Sequence, residues 1–589
     1  MTVQVEQLIT EHLDLWTQAQ TTKSTSGRGS NNKIDLTGIK KLRELILELA
    51  VRGKLVPQDP NDEPASELLK RIAAEKEALV KTGKLKKQKP LPPITDEEKP
   101  YELPIGWEWS RLGQLGLGAT GKTPSTSRPD LFIGDIPFIG PGQISADGVL
   151  NEAEKFLSEG AVSHSTEGLP NDILTVCIGG SIGKSTLLKS RVCFNQQINS
   201  LRPLITNPNF ILYAVRSLSF MNALINQASG SATPIINRSK WEELLLPLPC
   251  HEAQQKIVEK VDELMALCDQ LEQQSYHQLD AHNQLVDALL ATLTQSQNAD
   301  ELASNWQRLA AYFDALFTTE YSIDALKQTI LQLAVMGKLV KQDPNDEPAS
   351  ELLKRIAAEK DALVKAGKIK KQKPLPPISD DEKPFELPEG WVWCRLADIA
   401  SFENGDRSSR YPNSSDLVSN GIPFFGAYDI KDAKLAYSDE LRYITEEKFA
   451  ELSNGKLSDG DFVMLLRGSV GKTAQFLSSE FFSTGFINAQ MLIIRLVNRI
   501  LERYIEIYFD SELFKNQIFV SKSGAVIQQI PASKISELMI PLPPTGTLSR
   551  ITLINRELLQ ICDSLAEKIN SFEKIQAVLA ESLVEQVVA

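Results

Sequence analysis

QDPNDEPASELLKRIAAEK, residues 58–76, recurs without a single change at 342–360. A perfect copy of that length is the mark of an internal duplication, here at an offset of 284 (342 − 58). The same offset joins LAVRGKLV (49–56) to LAVMGKLV (333–340), KTGKLKKQKPLPPI (81–94) to KAGKIKKQKPLPPI (365–378), and ELPIGWEWSRL (102–112) to ELPEGWVWCRL (386–396). The halves then diverge. Similarity returns at GSIGK (180–184) and GSVGK (468–472), and again at SKWEELLLPLP (239–249) and SKISELMIPLP (533–543), where the offset has grown to 294 (533 − 239). A near-constant frame therefore surrounds a variable middle, twice.

The frame reads as helical. Leu42, Leu45, Ile46 and Leu49, and again Leu326, Ile330 and Leu333, fall at helical spacing, each run ending at a glycine placed for a C-cap, Gly53 or Gly337. SELLKRIAAEKEALVK continues as a second helix. The Lys- and Pro-rich KLKKQKPLPPI and KIKKQKPLPPI read as extended, solvated linkers, with contact to DNA phosphate as the second reading. After each middle comes a long amphipathic helix. In 551–588 a seam steps through Leu558, Cys562, Leu565, Ile569, Phe572, Gln576, Leu579 and Leu583, and in 252–293 another runs through Ile257, Val261, Leu264, Cys268 and Leu271 until Ser275 and Gln278 interrupt it. Two such stripes in one chain are expected to cover each other. At ~1.5 Å per residue, about forty residues make a rod of roughly 60 Å.

The middles read as mixed α/β modules. Short apolar runs (DIPFIG at 135–140, DILTVCI at 172–178, GIPFFGAY at 421–428, AQMLIIRL at 489–496) alternate with Gly, Ser, Asn and Pro turns. The loops are rich in Ser, Thr, Asn, Gln and Arg, side chains that reach base edges and phosphates. Trp107, Trp109, Trp391 and Trp393 stand at matched places and read as core.

Two motifs invite an enzymatic reading and fail it. GLGATGKT (116–123) fits G-x-x-x-x-G-K-[ST], but Pro124 follows at once, where a phosphate-binding loop must open a helix, and the second copy reads ASFENGDR (400–407). NPNF (207–210) has Asn209 where a methyltransferase motif needs its second proline, and no F-x-G-x-G loop accompanies it; it reads as a loop between strands. The six cysteines and five histidines show no zinc spacing, so the cysteines read as free thiols of a reducing cytosol. No apolar run is long enough for a membrane span, and the N-terminal stretch is broken by charges. A net charge of −13 means that DNA contact must come from local basic patches or a positively charged partner.

GKTPSTSRPDLFIGDIPFIGPGQI, GLPNDILTVCIGGSIGKS and SKWEELLLPLP with its following helix resemble the target-recognition domain and spacer of type I restriction-modification specificity subunits. GIPFFGAYDI, LSDGDFVMLLRGSVGKT and the last helix repeat the likeness. It covers the chain from about residue 36 onward, and the leading segment and length are most similar to the type IB branch. The resemblance implies an α+β fold: two mixed α/β target-recognition domains joined by two long, antiparallel coiled-coil helices with an internal pseudo-two-fold repeat. The divisions it implies are an N-terminal helical region with its linker (1–100), recognition domain 1 (101–250), a central conserved helical region (251–384), recognition domain 2 (385–545) and a C-terminal conserved helix (546–589). It further implies a non-catalytic, cytoplasmic subunit that reads one half of a bipartite, asymmetric double-stranded DNA site with each domain. The helices would set the spacer and dock two modification (methyltransferase) subunits, and restriction/translocase subunits would join for cleavage. S-adenosylmethionine, ATP and Mg would belong to those partners, with no cofactor or metal held by this chain. Candidate DNA-binding residues are Lys122, Thr123, Ser125, Thr126, Arg128, Ser181 and Lys184 in the first module, and Arg407, Arg410, Tyr411, Arg467, Ser469 and Lys472 in the second. Lys184 and Lys472 either contact phosphate or only solubilise a tight turn.

The isolated chain is therefore expected to bind ATP no more tightly than its Lys122→Ala variant. Equilibrium titration with a labelled nucleotide checks this, and micromolar binding lost on substitution would overturn it.

Overall fold

Helix Thr37–Val51 buries Ile39, Leu42, Leu45, Ile46 and Leu49 and stops where the sequence places its glycine. Gly53 takes φ +67°, its N–H donates to the Ala50 carbonyl, and the Lys54 N–H reaches back to Leu49 at 2.9 Å. Those two bonds are the Schellman termination, which needs a left-handed residue. The second copy repeats it: helix Glu320–Val335 ends at Gly337, φ +72°, with Lys338 donating to Leu333 at 2.9 Å. The structure, a computed structural model, describes residues 5–23, 33–85, 89–230, 233–431, 433–438, 440–522 and 528–588. It forms two compact units: residues 1–278 with 571–589, and residues 279–570.

The repeated QDPNDEP segment is wired the same way in both units. Gln58 accepts the indole N–H of Trp107 at 2.8 Å, and Gln342 that of Trp391 at 2.9 Å. Trp107 and Trp391 are both buried. Asp62 faces Lys256 at 4.0 Å, and its counterpart Asp346 takes Arg550 at 2.6 Å and the Thr547 hydroxyl at 2.7 Å. Bonds from Arg550 and then Thr547 hold the Asp346 carboxyl below the usual carboxylate range. The helix that follows, Ala65–Lys81 or Ala349–Lys365, sends one lysine inward: Lys76 donates to the Gly113 carbonyl, and Lys360 to those of Ala397 and Ala400. Burial pushes the Lys76 ammonium down to about 8 and lowers Lys360 as well.

Each module is entered and left along one antiparallel strand pair, Glu108–Arg111 with Leu245–Leu248, and Val392–Arg395 with Met539–Leu542. Arg111 and Arg395, 3% and 7% exposed, lock these junctions. The Arg111 guanidinium donates to the carbonyls of Pro92 (2.8 Å), Pro93 (2.9 Å) and Glu243 (2.7 Å) and pairs with Glu98. Arg395 does the same with Pro376, Glu537 and Glu382. The proline-rich half of each linker is exposed, as a solvated linker should be, and a buried guanidinium also ties it down through its carbonyls. Lys86, Lys87 and Gln88 of the first basic run lie outside the described residues.

Inside the first module are two four-stranded sheets, in the orders Lys155–Leu157, Ile136–Ile139, Val192–Phe194, Thr166–Gly168 and Gly116–Thr120, Ile198–Pro203, Ile173–Val176, Ser185–Leu187. The second module has a four-stranded and a six-stranded sheet, the latter enlarged by the short strands Ile430–Lys431 and Lys434–Leu435. NPNF is not a loop between strands. Asn207 accepts the Asn209 N–H and caps helix Pro208–Arg216, as Asn before Pro at the first helical position favours.

The two long helices, His251–Gln295 and Thr545–Val588, each contribute to both units, and in each unit the head of one is grouped with the tail of the other. A frame helix lies against both. In the first unit Arg43 pairs with Asp269 and Glu272, and Lys41 with Glu581; in the second Tyr321 donates to Asp287 and Lys327 pairs with Asp563. Val286, Leu290, Leu293, Leu326, Ile330, Leu333 and Cys562 share one core there. The expected seam departs from the structure in two places. Ser275, read as an interruption, is buried, and at the end of the last helix Phe572 and Leu579 are exposed while Glu573, Ala580 and Val584 are buried. A straight helix has 3.6 residues per turn, so a strict seven-residue stripe rotates away from its partner, whereas the eleven-residue step from Cys562 to Glu573 to Val584 stays in line.

Gly337→Ala is expected to destabilise its unit by about 2 kcal/mol, from the left-handed backbone and from a new Cβ facing Pro388 Cγ at 2.7 Å. Denaturant unfolding followed by tryptophan fluorescence measures it.

Candidate nucleic-acid interface

In the first module the chain passes from one sheet to the other through the turn Asn195-Gln196-Gln197. The Asn195 N–H donates to Ile139 (3.0 Å), its side-chain oxygen accepts the Gln197 N–H (3.0 Å), and the Gln197 carbonyl accepts the Cys177 N–H (2.7 Å). The second module carries Asn488-Ala489-Gln490 in the same setting: Asn488 N–H to Phe425 (3.0 Å), Gln490 N–H to the Asn488 side chain (3.0 Å), and Leu466 N–H to the Gln490 carbonyl (2.9 Å). Gly121 and Gly405 close the two sites, since a Cβ at either would collide with the carbonyl of Asn195 or Asn488. The neighbouring 140–143 and 426–429 loops are matched too, Gly140 donating to Gln143 Oε1 and Gly426 to Asp429 Oδ2.

Several predicted residues gather round this turn. Lys122 and Thr123 follow strand Gly116–Thr120; the Lys122 N–H is spent on the Phe194 carbonyl, and the Thr123 hydroxyl donates to Gln196 Oε1. GLGATGKT is therefore a paired β-strand and its exit: the Gly121 N–H also goes to a carbonyl, that of Ile198, and no α-helix opens there to hold a phosphate. Arg407 donates through Nε and Nη2 to the Ala489 carbonyl, at 3.2 and 3.0 Å. Next to it, burial works to raise the Asp406 carboxyl, but bonds from Ser408 and Ser453 outweigh it and hold the group at about 2. Arg410 reaches the Ser453 hydroxyl at 2.8 Å.

The remaining candidates lie in loops and hairpin turns. Arg128 pairs with Asp130, and the hydroxyls of Ser125 and Ser127 meet at 2.8 Å, while Thr126 is exposed. Tyr411 packs edge-on against Phe424 and tilted against Phe486. Ser181 and Lys184, and Ser469 and Lys472, belong to hairpin turns in which Gly183 and Gly471 adopt positive φ. A second loop joins each hairpin, Gly179 donating to Pro234 and Gly468 to Gln528; Arg467 bridges to Gln529. Lys472 donates to the Ile430 carbonyl at 2.7 Å.

The sequence reading passed over Asn195, Gln196 and Gln197 and their counterparts. A signal was available, FNQQI (194–198) against INAQM (487–491), but it lies where the offset drifts between 284 and 294. Among the described residues no cluster of His, Cys, Asp or Glu is arranged to hold a metal ion, and no helix is long and apolar enough to cross a membrane.

Two copies of one scaffold, each presenting polar loops around a turn, define a duplicated recognition protein. Residues 104–281 and 388–580 match the model of the type I restriction modification DNA specificity domain, and the chain belongs to that family. It is 44% identical to the specificity subunit of the type I restriction enzyme EcoAI of Escherichia coli over 99% of both chains, and 44% identical to that of EcoEI of the same species, again over 99% of both. A solved HsdS subunit from Thermoanaerobacter tengcongensis aligns with 83% of this chain and 98% of its own at 18% identity, with a TM-score of 0.37.

Proposed function

We propose that the chain is the non-catalytic DNA-specificity subunit of a type I restriction-modification enzyme of the IB branch, each module reading one half of a bipartite, asymmetric site. The observation that carries this is one scaffold used twice, with identical wiring at the frame and unlike polar groups at the turn. Two like frames suit two copies of one partner, and two unlike faces suit two different DNA sequences. The frames and long helices dock two modification subunits and set the distance between the half-sites. Phe572, Ile575, Val578 and Leu579, all at least half exposed on the last helix, support such a seat. Restriction/translocase subunits join for cleavage, and S-adenosylmethionine, ATP and Mg are used by the partners. A net charge of −13 fits a reader that shares its DNA with positively charged partner surfaces. The six cysteines are free and buried, which suits a reducing cytoplasm. In this reading Lys122, Lys184, Arg410, Arg467 and Lys472 are taken as candidate contacts to DNA phosphate.

Because each module starts and ends on one strand pair, replacing residues 101–250 with the equivalent region of a relative is expected to change one half of the recognised sequence and leave the other intact. Methylation mapping of a plasmid library with the assembled modification complex tests this. A change in both halves would refute the two-reader scheme.

A further inference from the structure

We propose that Gln196 and Arg407 fill the same reading position in the two modules, Gln196 selecting adenine and Arg407 selecting guanine at one base pair of each half-site. The inference rests on the DNA-reading function above and names the side chains that carry part of it.

The backbone makes the two settings equivalent, with Thr123 matching Arg407 at the strand exit and Gln196 matching Ala489 in the turn. The Gly121 N–H goes to the Ile198 carbonyl and the Gly405 N–H to that of Met491, and the turns Asn195–Gln197 and Asn488–Gln490 are held by the matching bonds described above. In this frame Thr123 faces Gln196 in the first module, and Arg407 faces Ala489 in the second. The long polar side chain has moved from the turn to the opposite strand exit, and its partner has shortened. None of the backbone bonds that make the turn involves the side chain of Gln196 or Arg407. Gln196 and Arg407 are both exposed.

Each side chain is also pre-aimed. The Thr123 hydroxyl occupies one lone pair of Gln196 Oε1, leaving the other lone pair and the amide N–H groups free. An oriented amide of this kind presents an acceptor and a donor, the pattern complementary to adenine N6 and N7. Arg407 spends Nε and one N–H of Nη2 on the Ala489 carbonyl. Its outer edge, formed by the two terminal nitrogens, keeps parallel donors, the pattern complementary to guanine O6 and N7. Anchoring the side chain in the free protein lowers the ordering cost of binding, which favours base readout over a loose phosphate contact.

The test uses the chain assembled with its modification subunits. The wild-type bipartite site is mapped first by methylation of a randomised plasmid library; if no bipartite site emerges, the function proposed above fails, independently of these residues. With a site in hand, Arg407→Ala is expected to lose roughly ten- to a hundredfold discrimination at one guanine of one half-site, the other half being unchanged. Arg407→Lys keeps the charge without the planar fork, and is expected to lose that preference while keeping the salt dependence of binding. Gln196→Ala is expected to relax one adenine position in the other half-site. Uniform weakening across all sequences, with a salt slope lower by about one for Arg407→Ala, would make Arg407 a phosphate contact and overturn the proposal. Unaltered specificity in Arg407→Ala and Gln196→Ala complexes of wild-type thermal stability would overturn it equally.

Discussion

The hydrogen bond from a module's entry tryptophan to a frame glutamine, Trp107 to Gln58 and Trp391 to Gln342, is the contact around which each repeat is organised. A buried indole N–H must find an acceptor. The residues beside that glutamine make the remaining ties: Asp62 and Asp346 to the first turns of the long helices, and Glu63 and Glu347 to Arg71 and Arg355 of the next helix. One short segment thus fixes a module strand, a long helix and a frame helix together. A segment with that many simultaneous partners tolerates little change, which gives a physical reason for its perfect repetition.

Inside that fixed frame the modules are free to differ. Arg111 and Arg395 draw the proline-rich approach, the entry strand and the end of the module to one point, mostly through bonds to backbone carbonyls. Carbonyls are present whatever the side chain, so the clamp places few demands on the sequence it closes. The second module accordingly carries two additional short strands on one sheet while keeping the same entry and exit.

The long helices show how a local pattern is completed by its surroundings. Leu558, Cys562, Leu565 and Ile569 were legible as a stripe and do pack against the core of the second unit. Phe572 and Leu579 continue a seven-residue rule on paper and emerge into solvent, because the helix follows an eleven-residue step and because frame helices, not only the other long helix, define the buried face.

By itself the sequence determined the duplication, the two helices of each frame with their glycine stops, the long helices, the exclusion of a phosphate-binding loop and the family resemblance. Those features are either local in the chain, set by periodicity and caps, or exact copies that declare themselves. Tertiary structure alone decided what Arg111 and Arg395 hold, that NPNF opens a helix, that Tyr411 packs against Phe424 and Phe486, and that Thr123 meets Gln196 where Arg407 meets Ala489. Each of these joins residues far apart in the chain, or compares positions whose sequence offset has drifted. Only the sheets, by fixing which backbone groups meet, make such residues neighbours.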